Sequence, residues 1–321
     1  MQILTLSAHG LSAKMMPWGA VLMDLRLEGH EAPLVLGFDD PALYPEHSRY
    51  FGATAGRVAN RIGHGQFTID GQTFQADQNF MGRHMLHGGA AGIGKRIWDV
   101  VDHGPAHVQM QIGLSDGEMG FPGNMVVKAR FSLEREATFR VVYTATTDAP
   151  TLCNLAHHTY WCLDDTGDLS AHHLQLDAGR VTEVDADFIP TGRCPDVAGT
   201  RYDFRAGRPV LEAGQPIDHN LCLSESRQPA RPIGRLWSAV SGISMGITTT
   251  EPGIQVYDGA KLDVPVPGLG GRGYGAHAGL ALEPQIWPDA INHSTFPSPV
   301  LRPGETYEQI TEFRFSREET R

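Results

Sequence analysis

The apolar side chains of this chain recur at every second position, and that period decides most of what the chain can become. Val108, Met110, Ile112 and Leu114 alternate with Gln109, Gln111 and Gly113. Val127, Ala129, Phe131 and Leu133 alternate with Lys128, Arg130 and Ser132. Phe139, Val141 and Tyr143 continue the pattern after a short gap, and Ile243, Met245, Ile247 and Thr249 repeat it. Successive side chains of a strand point to opposite faces. Each run therefore predicts an antiparallel strand with one face in a core and one in water.

Turn chemistry agrees. Phe67-Thr68-Ile69 and Thr73-Phe74 flank Asp70-Gly71, a pair favoured in two-residue hairpins. Glu251-Pro252-Gly253 turns the chain toward Ile254-Gln255-Val256-Tyr257. The 37 glycines and 21 prolines are spread throughout, as many short strands joined by turns require. No amphipathic stretch exceeds a few helical turns, and there is no polar linker, charge block or fixed repeat. The expectation is a single all-β domain over residues 1–321, with a large antiparallel β-sandwich architecture.

Composition excludes several functions. A net charge of −11 works against binding to nucleic acid or to an anionic membrane, because both need a basic surface. No stretch approaches the roughly 18 apolar residues of a membrane span. The opening MQILTLSAHGLSAKMMP lacks the basic and apolar regions of a signal peptide. Cys153, Cys162, Cys194 and Cys222 are scattered without a Cys-x-x-Cys pair, which predicts reduced thiols and a cytoplasmic protein.

Charged and imidazole groups inside apolar strand sequence are the informative anomaly, since burying them unpaired is costly. Gly56-Arg57-Val58-Ala59-Asn60-Arg61-Ile62 sets an arginine beside an amide, a fork of donors suited to sugar oxygens. A single arginine is more often a surface group. Leu86-His87-Gly88-Gly89 offers glycines that let backbone approach a ligand, or else a plain loop. In Asn154-Leu155-Ala156-His157-His158-Thr159-Tyr160-Trp161, adjacent strand residues point apart, so His157 and His158 cannot share a metal. The same holds for His172-His173. One imidazole of the first pair is expected to face a pocket with Tyr160, and a buried structural histidine is the competing reading. Glu283 stands alone in Ala281-Leu282-Glu283-Pro284, and a carboxylate in a partly dry pocket is a candidate general base. Asp218-His219-Asn220 and Gln255-Val256-Tyr257 add polar groups in the same half of the chain.

Other motifs fail. Gly268-x-Gly270-x-x-Gly273 has the dinucleotide-binding string, but Pro265 and Pro267 spoil the strand that should precede it, and loop follows it. No G-x-S-x-G, phosphate-binding loop, H-E-x-x-H or paired C-x-x-C is present.

From about Phe51 to Phe315 the chain resembles the aldose 1-epimerase (galactose mutarotase) family. The resemblance rests on GRVANRI, LHGG with GKRIW following, GEMGFPG, NLAHHTYW, IDHN, GIQVYDG, ALEPQIWPDAINH and LRPGETY, in that order. It implies a galactose mutarotase-like supersandwich, no metal, no organic cofactor and a free aldose as the small-molecule partner, in a monomer or homodimer. Carried over by motif, it makes His158 the general acid and Glu283 the general base. Asn60, Arg61, His87, Tyr160, Asp218 and Gln255 would line the sugar site.

Two departures from the family pattern are His157, where many members have Asn, and Cys162, where Asn is common. Both stand where they would tune the pocket. Arg96 in GKRIW leaves an anionic sugar open. Two other readings compete: a non-catalytic carbohydrate-binding module on the same fold, and a metal-dependent sugar isomerase drawing on the 15 histidines.

Overall fold

The computed structural model describes residues 1–211 and 215–317. Strand accounts for 44% and helix for 7%, as the alternating sequence requires. The largest sheet runs, in spatial order, Arg208–Pro209, His172–Leu176, Arg231–Ser238, Ile243–Thr249, Tyr307–Arg317, Thr138–Thr147, Met125–Glu134, His107–Leu114 and Asp99–Gly104. A second sheet runs Tyr160–Trp161, Leu280–Gln285, Gly253–Tyr257, Asp218–Cys222 and Arg180–Val181. Leu4–Ala8, Leu11–Met16 and Val21–Leu27 form a third. The ladders in all three are antiparallel.

The predicted inward positions are the core. Val108, Met110, Phe131, Phe139, Val141, Met245 and Ile247 are buried, together with Leu4 and Leu6 of the third sheet and Leu221, Ile254, Val256, Leu280 and Leu282 of the second. Each fully buried aliphatic or aromatic side chain contributes about 1.5–3 kcal/mol relative to exposure. The Asp70-Gly71 hairpin forms as expected between Gln66–Ile69 and Gln72–Gln75, with both turn residues at positive φ (50° and 82°). The Gly268–Gly273 segment is loop and a short 3-10 turn, so the dinucleotide string is without its structural context.

Period two also places the site. In the second sheet, Ile254, Val256, Leu280, Leu282 and Leu221 face the core. Gln255, Ala281, Glu283, Asp218 and Tyr160 must therefore face the opposite way. Register then sets Gln255 directly across from Glu283, Asp218 across from Tyr257, and Tyr160 across from Ala281. Among the described residues no helix is long and apolar enough to cross a membrane.

Candidate active site

The outer face of the second sheet opens into a cavity of about 250 Å³. Its walls include all eight residues singled out above: Asn60, Arg61, His87, His158, Tyr160, Asp218, Gln255 and Glu283. They come from six separate segments of chain, so only folding unites them.

Glu283 lies on the strand Leu280–Gln285 and His158 on Ala156–His158, which pairs with Ala53–Ala55. Glu283 is 2% exposed and His158 6%, and His158 Nε2 lies 3.6 Å from Glu283 Oε1. That separation is just beyond a hydrogen bond and allows both groups to face one reacting centre. The two adjacent histidines diverge as strand geometry demands. His157 turns into the core against Phe131 and Phe139 and hydrogen-bonds Thr159 Oγ1 at 2.7 Å.

Burial governs the titration of the pair. It raises Glu283 to about 8, with the Asp218 charge adding to the shift and Arg61 opposing it. It lowers His158 to about 4. Between those values the pair holds one proton, and that proton rests on the carboxyl. Mutual attraction of the two charged forms would shift both values the other way. Burial wins because neither group is wet.

Around the pair, hydrogen bonds fix the polar groups. Asp218 accepts from Arg61 Nη2 at 3.1 Å and from Gln255 Nε2 at 2.6 Å. Arg61 Nη1 also donates to Asn60 Oδ1 at 3.2 Å. Asn60 and His87, both at positive φ, clasp each other through backbone. The His87 amide donates to the Asn60 carbonyl at 2.9 Å, and the Asn60 amide donates to His87 Nδ1 at 3.2 Å. Burial holds His87 neutral, so its Nδ1 accepts and its Nε2 carries the proton. His87 is thereby a fixed donor. Two carboxyls, a guanidinium, two amides and two imidazoles around one small volume suit a polyhydroxyl ligand and proton transfer.

Several expectations need correction. Gly88 does approach something closely, but it is the Gly56 carbonyl, which an added Cβ would meet at 2.0 Å, and not a ligand. Arg96 is paired with Glu118 and does not line the cavity. His157 and Cys162 do not line it either, so neither departure tunes the pocket wall. Arg57 is a buried structural group that donates to the Pro122 and Gly123 carbonyls and so ties GRVANRI to GEMGFPG.

Other wall residues went unread in the sequence. Tyr50 stacks on His158 with centroids 5.7 Å apart and lies 4.7 Å from His87. Phe80 lies against the Arg61 guanidinium at 4.9 Å, and Phe188, outside the cavity wall, also lies against it at 5.3 Å. Arg49 and Lys261 bring further cations. None lies in an alternating run, and aromatics within polar loop sequence were the available signal.

One set of groups could be taken for a metal centre. Cys162, Asp164 and His172 are buried, with ligand atoms within 4.8 Å of one another. However, the Leu163 amide donates to His172 Nε2 at 2.8 Å, which puts the imidazole proton on Nδ1, the nitrogen facing Asp164 at 3.6 Å. Metal binding at Nδ1 would drive that proton onto Nε2 against the amide. Asp164 already accepts from Ser238 Oγ, Thr166 Oγ1 and the Thr166 amide. The donor set fits an internal hydrogen-bond network better than a metal.

Comparison with known proteins identifies the family. The family profile described as Aldose 1-epimerase matches residues 2–314. The chain is 37% identical to galactose mutarotase of Bos taurus, over 97% of this chain and 93% of that protein. It is 33% identical to aldose 1-epimerase of Escherichia coli K12, over 98% and 95%. The crystal structure of a GalM/aldose epimerase homologue from C. elegans superposes with a TM-score of 0.93 at 33% identity, covering 99% of both chains. This chain belongs to the aldose 1-epimerase family.

Proposed function

We propose that this protein is an aldose 1-epimerase, interconverting the α and β anomers of a free aldose such as galactose or glucose. Glu283 and His158 serve as the acid/base pair, and Asn60, Arg61, His87, Tyr160, Asp218 and Gln255 bind the sugar. The observation that carries the reading is the 3.6 Å approach of a buried carboxyl and a buried imidazole inside a cavity walled by hydrogen-bonding groups.

The reaction asks little more. Glu283 as carboxylate takes the proton of the C1 hydroxyl while His158 as imidazolium protonates the ring oxygen, and the C1–O5 bond breaks. The sugar is now an open-chain aldehyde, Glu283 is a neutral acid and His158 a neutral base. Rotation about C1–C2 presents the other carbonyl face. His158 then takes the C5 hydroxyl proton as that oxygen attacks C1, and Glu283 returns its proton to the aldehyde oxygen. Atoms and charge balance, and no covalent intermediate arises.

Burial weights the two halves of this cycle in opposite directions. The ion pair that opens the ring and the neutral pair that closes it hold the same number of protons. The switch therefore needs no exchange with solvent. The neutral pair is the form that the dry site favours, so ring opening transfers protons toward the site's preferred state and ring closure moves them back against it. Arg61, Asp218 and Gln255 are locked together before sugar arrives, which reduces the ordering that binding must supply.

We also infer a single domain, working in the cytoplasm in hexose metabolism as a monomer or homodimer. The four free thiols support the cytoplasmic reading. The test of function is the optical rotation of freshly dissolved α-D-galactose and α-D-glucose with and without protein. Faster decay to equilibrium is expected. A rate equal to the buffer blank, with sugar still bound, would leave a carbohydrate-binding module instead.

A further inference from the structure

The side chains of His158 and Glu283 are held by little of their own. His158 Nδ1 and Glu283 Oε2 are buried without a hydrogen bond among the described residues. The ladder that pairs Tyr160 with Ala281 and Trp161 with Leu280 does not extend to His158 and Glu283. Something else must keep the two strands in place at the point where the chemistry occurs.

The LRPGETY stretch supplies it. Its Tyr307 begins the strand Tyr307–Arg317, a central strand of the largest sheet, and Tyr307 and Gln309 face inward beside Phe313 and Phe315. Tyr307 is 3% exposed and Gln309 2%, and a buried amide on an otherwise largely apolar face is an odd structural choice. The Leu155 amide donates to the Tyr307 hydroxyl at 3.1 Å, that hydroxyl donates to Gln309 Oε1 at 2.7 Å, and Gln309 Nε2 donates to the Pro284 carbonyl at 2.8 Å. An amide can only donate and a carbonyl only accept, so the direction of the relay is fixed from end to end. One end holds the backbone three residues before His158, and the other holds the residue after Glu283. Beside it, the Asn154 side chain accepts from the Ile286 amide at 2.9 Å and donates to the Ile286 carbonyl at 3.1 Å, replacing a rung of ladder.

We propose that Tyr307 and Gln309 are positioning residues for the acid/base pair, clamping the strand of His158 to the strand of Glu283 from behind through a hydrogen-bond relay. The proposal rests on the reading of His158 and Glu283 as that pair. Neither Tyr307 nor Gln309 lines the sugar cavity, so the clamp acts only through backbone placement. Reacting groups displaced by about 1 Å can lose on the order of 10² in rate while binding persists.

The full-length protein tests this in a mutarotation assay with α-D-galactose. Tyr307→Phe keeps the ring under the Arg227 guanidinium, 4.0 Å away, and removes only the hydroxyl. Gln309→Leu removes the other link at similar volume. Each is expected to lower kcat about tenfold or more with KM within about twofold, and to move the limbs of the pH profile. The double variant should be no worse than the poorer single one, because one broken link already opens the relay. Thr311→Val is the control. It deletes a buried hydroxyl on the same strand face, bonded to Thr249 at 3.0 Å, and should lower Tm while leaving kcat unchanged. Normal kcat in both relay variants, or an equal kcat loss in Thr311→Val, overturns the proposal. If Tyr307→Phe does not fold, Gln309→Leu decides. Glu283→Gln is assayed in parallel: if it stays active the acid/base reading itself fails, and if it is inactive the relay variants judge the clamp alone.

Discussion

Glu283 and Asp218 stand on the same face of one sheet, and the charge of Asp218 adds to the burial that raises the Glu283 carboxyl. A carboxylate of the proposed sugar site thus also adds to the proton affinity of the proposed general base. Arg61, bonded to Asp218 at 3.1 Å, opposes the effect.

The pH profile of kcat is expected to be a bell. Below about 4 both members of the pair are protonated and the base is lost; above about 8 both are deprotonated and the acid is lost. Asp218→Asn removes a negative charge beside Glu283, eases its ionisation and should move the alkaline limb to lower pH. Arg61→Gln should move it higher. Both should also raise KM, because they break the Arg61–Asp218–Gln255 cluster. Limbs that stay in place in both variants would refute the electrostatic coupling.

Glu283→Gln and His158→Asn should each cost about 10² or more in kcat with small effects on KM. His157→Asn should instead lower stability, since that ring packs against Phe131 and Phe139. Near-normal turnover by His158→Asn would point to His87, 5.2 Å from it, as the acid.

Stability should record the same burial. The folded pKa of Glu283 is raised, so its stabilising contribution is complete below the unfolded value of 4.5 and is lost as pH rises toward about 8. Glu283→Gln should therefore gain Tm relative to the native protein as pH rises from 5 to 8, with a gain of about 2–4 kcal/mol at most. Thermal melts across that range check it, and a difference independent of pH would contradict the assignment.

Activity should survive extended dialysis against EDTA, because His172 already has its Nε2 engaged by the Leu163 amide and the site pair needs no metal for its proton transfers. Loss of turnover restored by one defined divalent ion would overturn this.

Much was legible without coordinates because strand geometry is a local rule. Alternation in Val108–Leu114 and Val127–Leu133 predicts which side chains enter the core, and the same parity separates His157 from His158 and places Gln255 with Tyr257. Glu283 was visible as a carboxylate in apolar sequence. The loop residues were not: Tyr50 and Phe80 reach the cavity from segments without period, and an aromatic in polar loop sequence is only a weak local signal.

The sequence by itself therefore determined the strands, their buried faces and the residue types of the site, since backbone pleat and apolar periodicity act over a few residues. Only the tertiary structure decided that Glu283 and His158, 125 positions apart in the chain, meet at 3.6 Å. It alone decided that the pair is dry enough to be neutral, and that Tyr307 and Gln309 reach behind it. Distance, desolvation and long-range hydrogen bonds depend on which surfaces the fold brings together, and no local pattern encodes that.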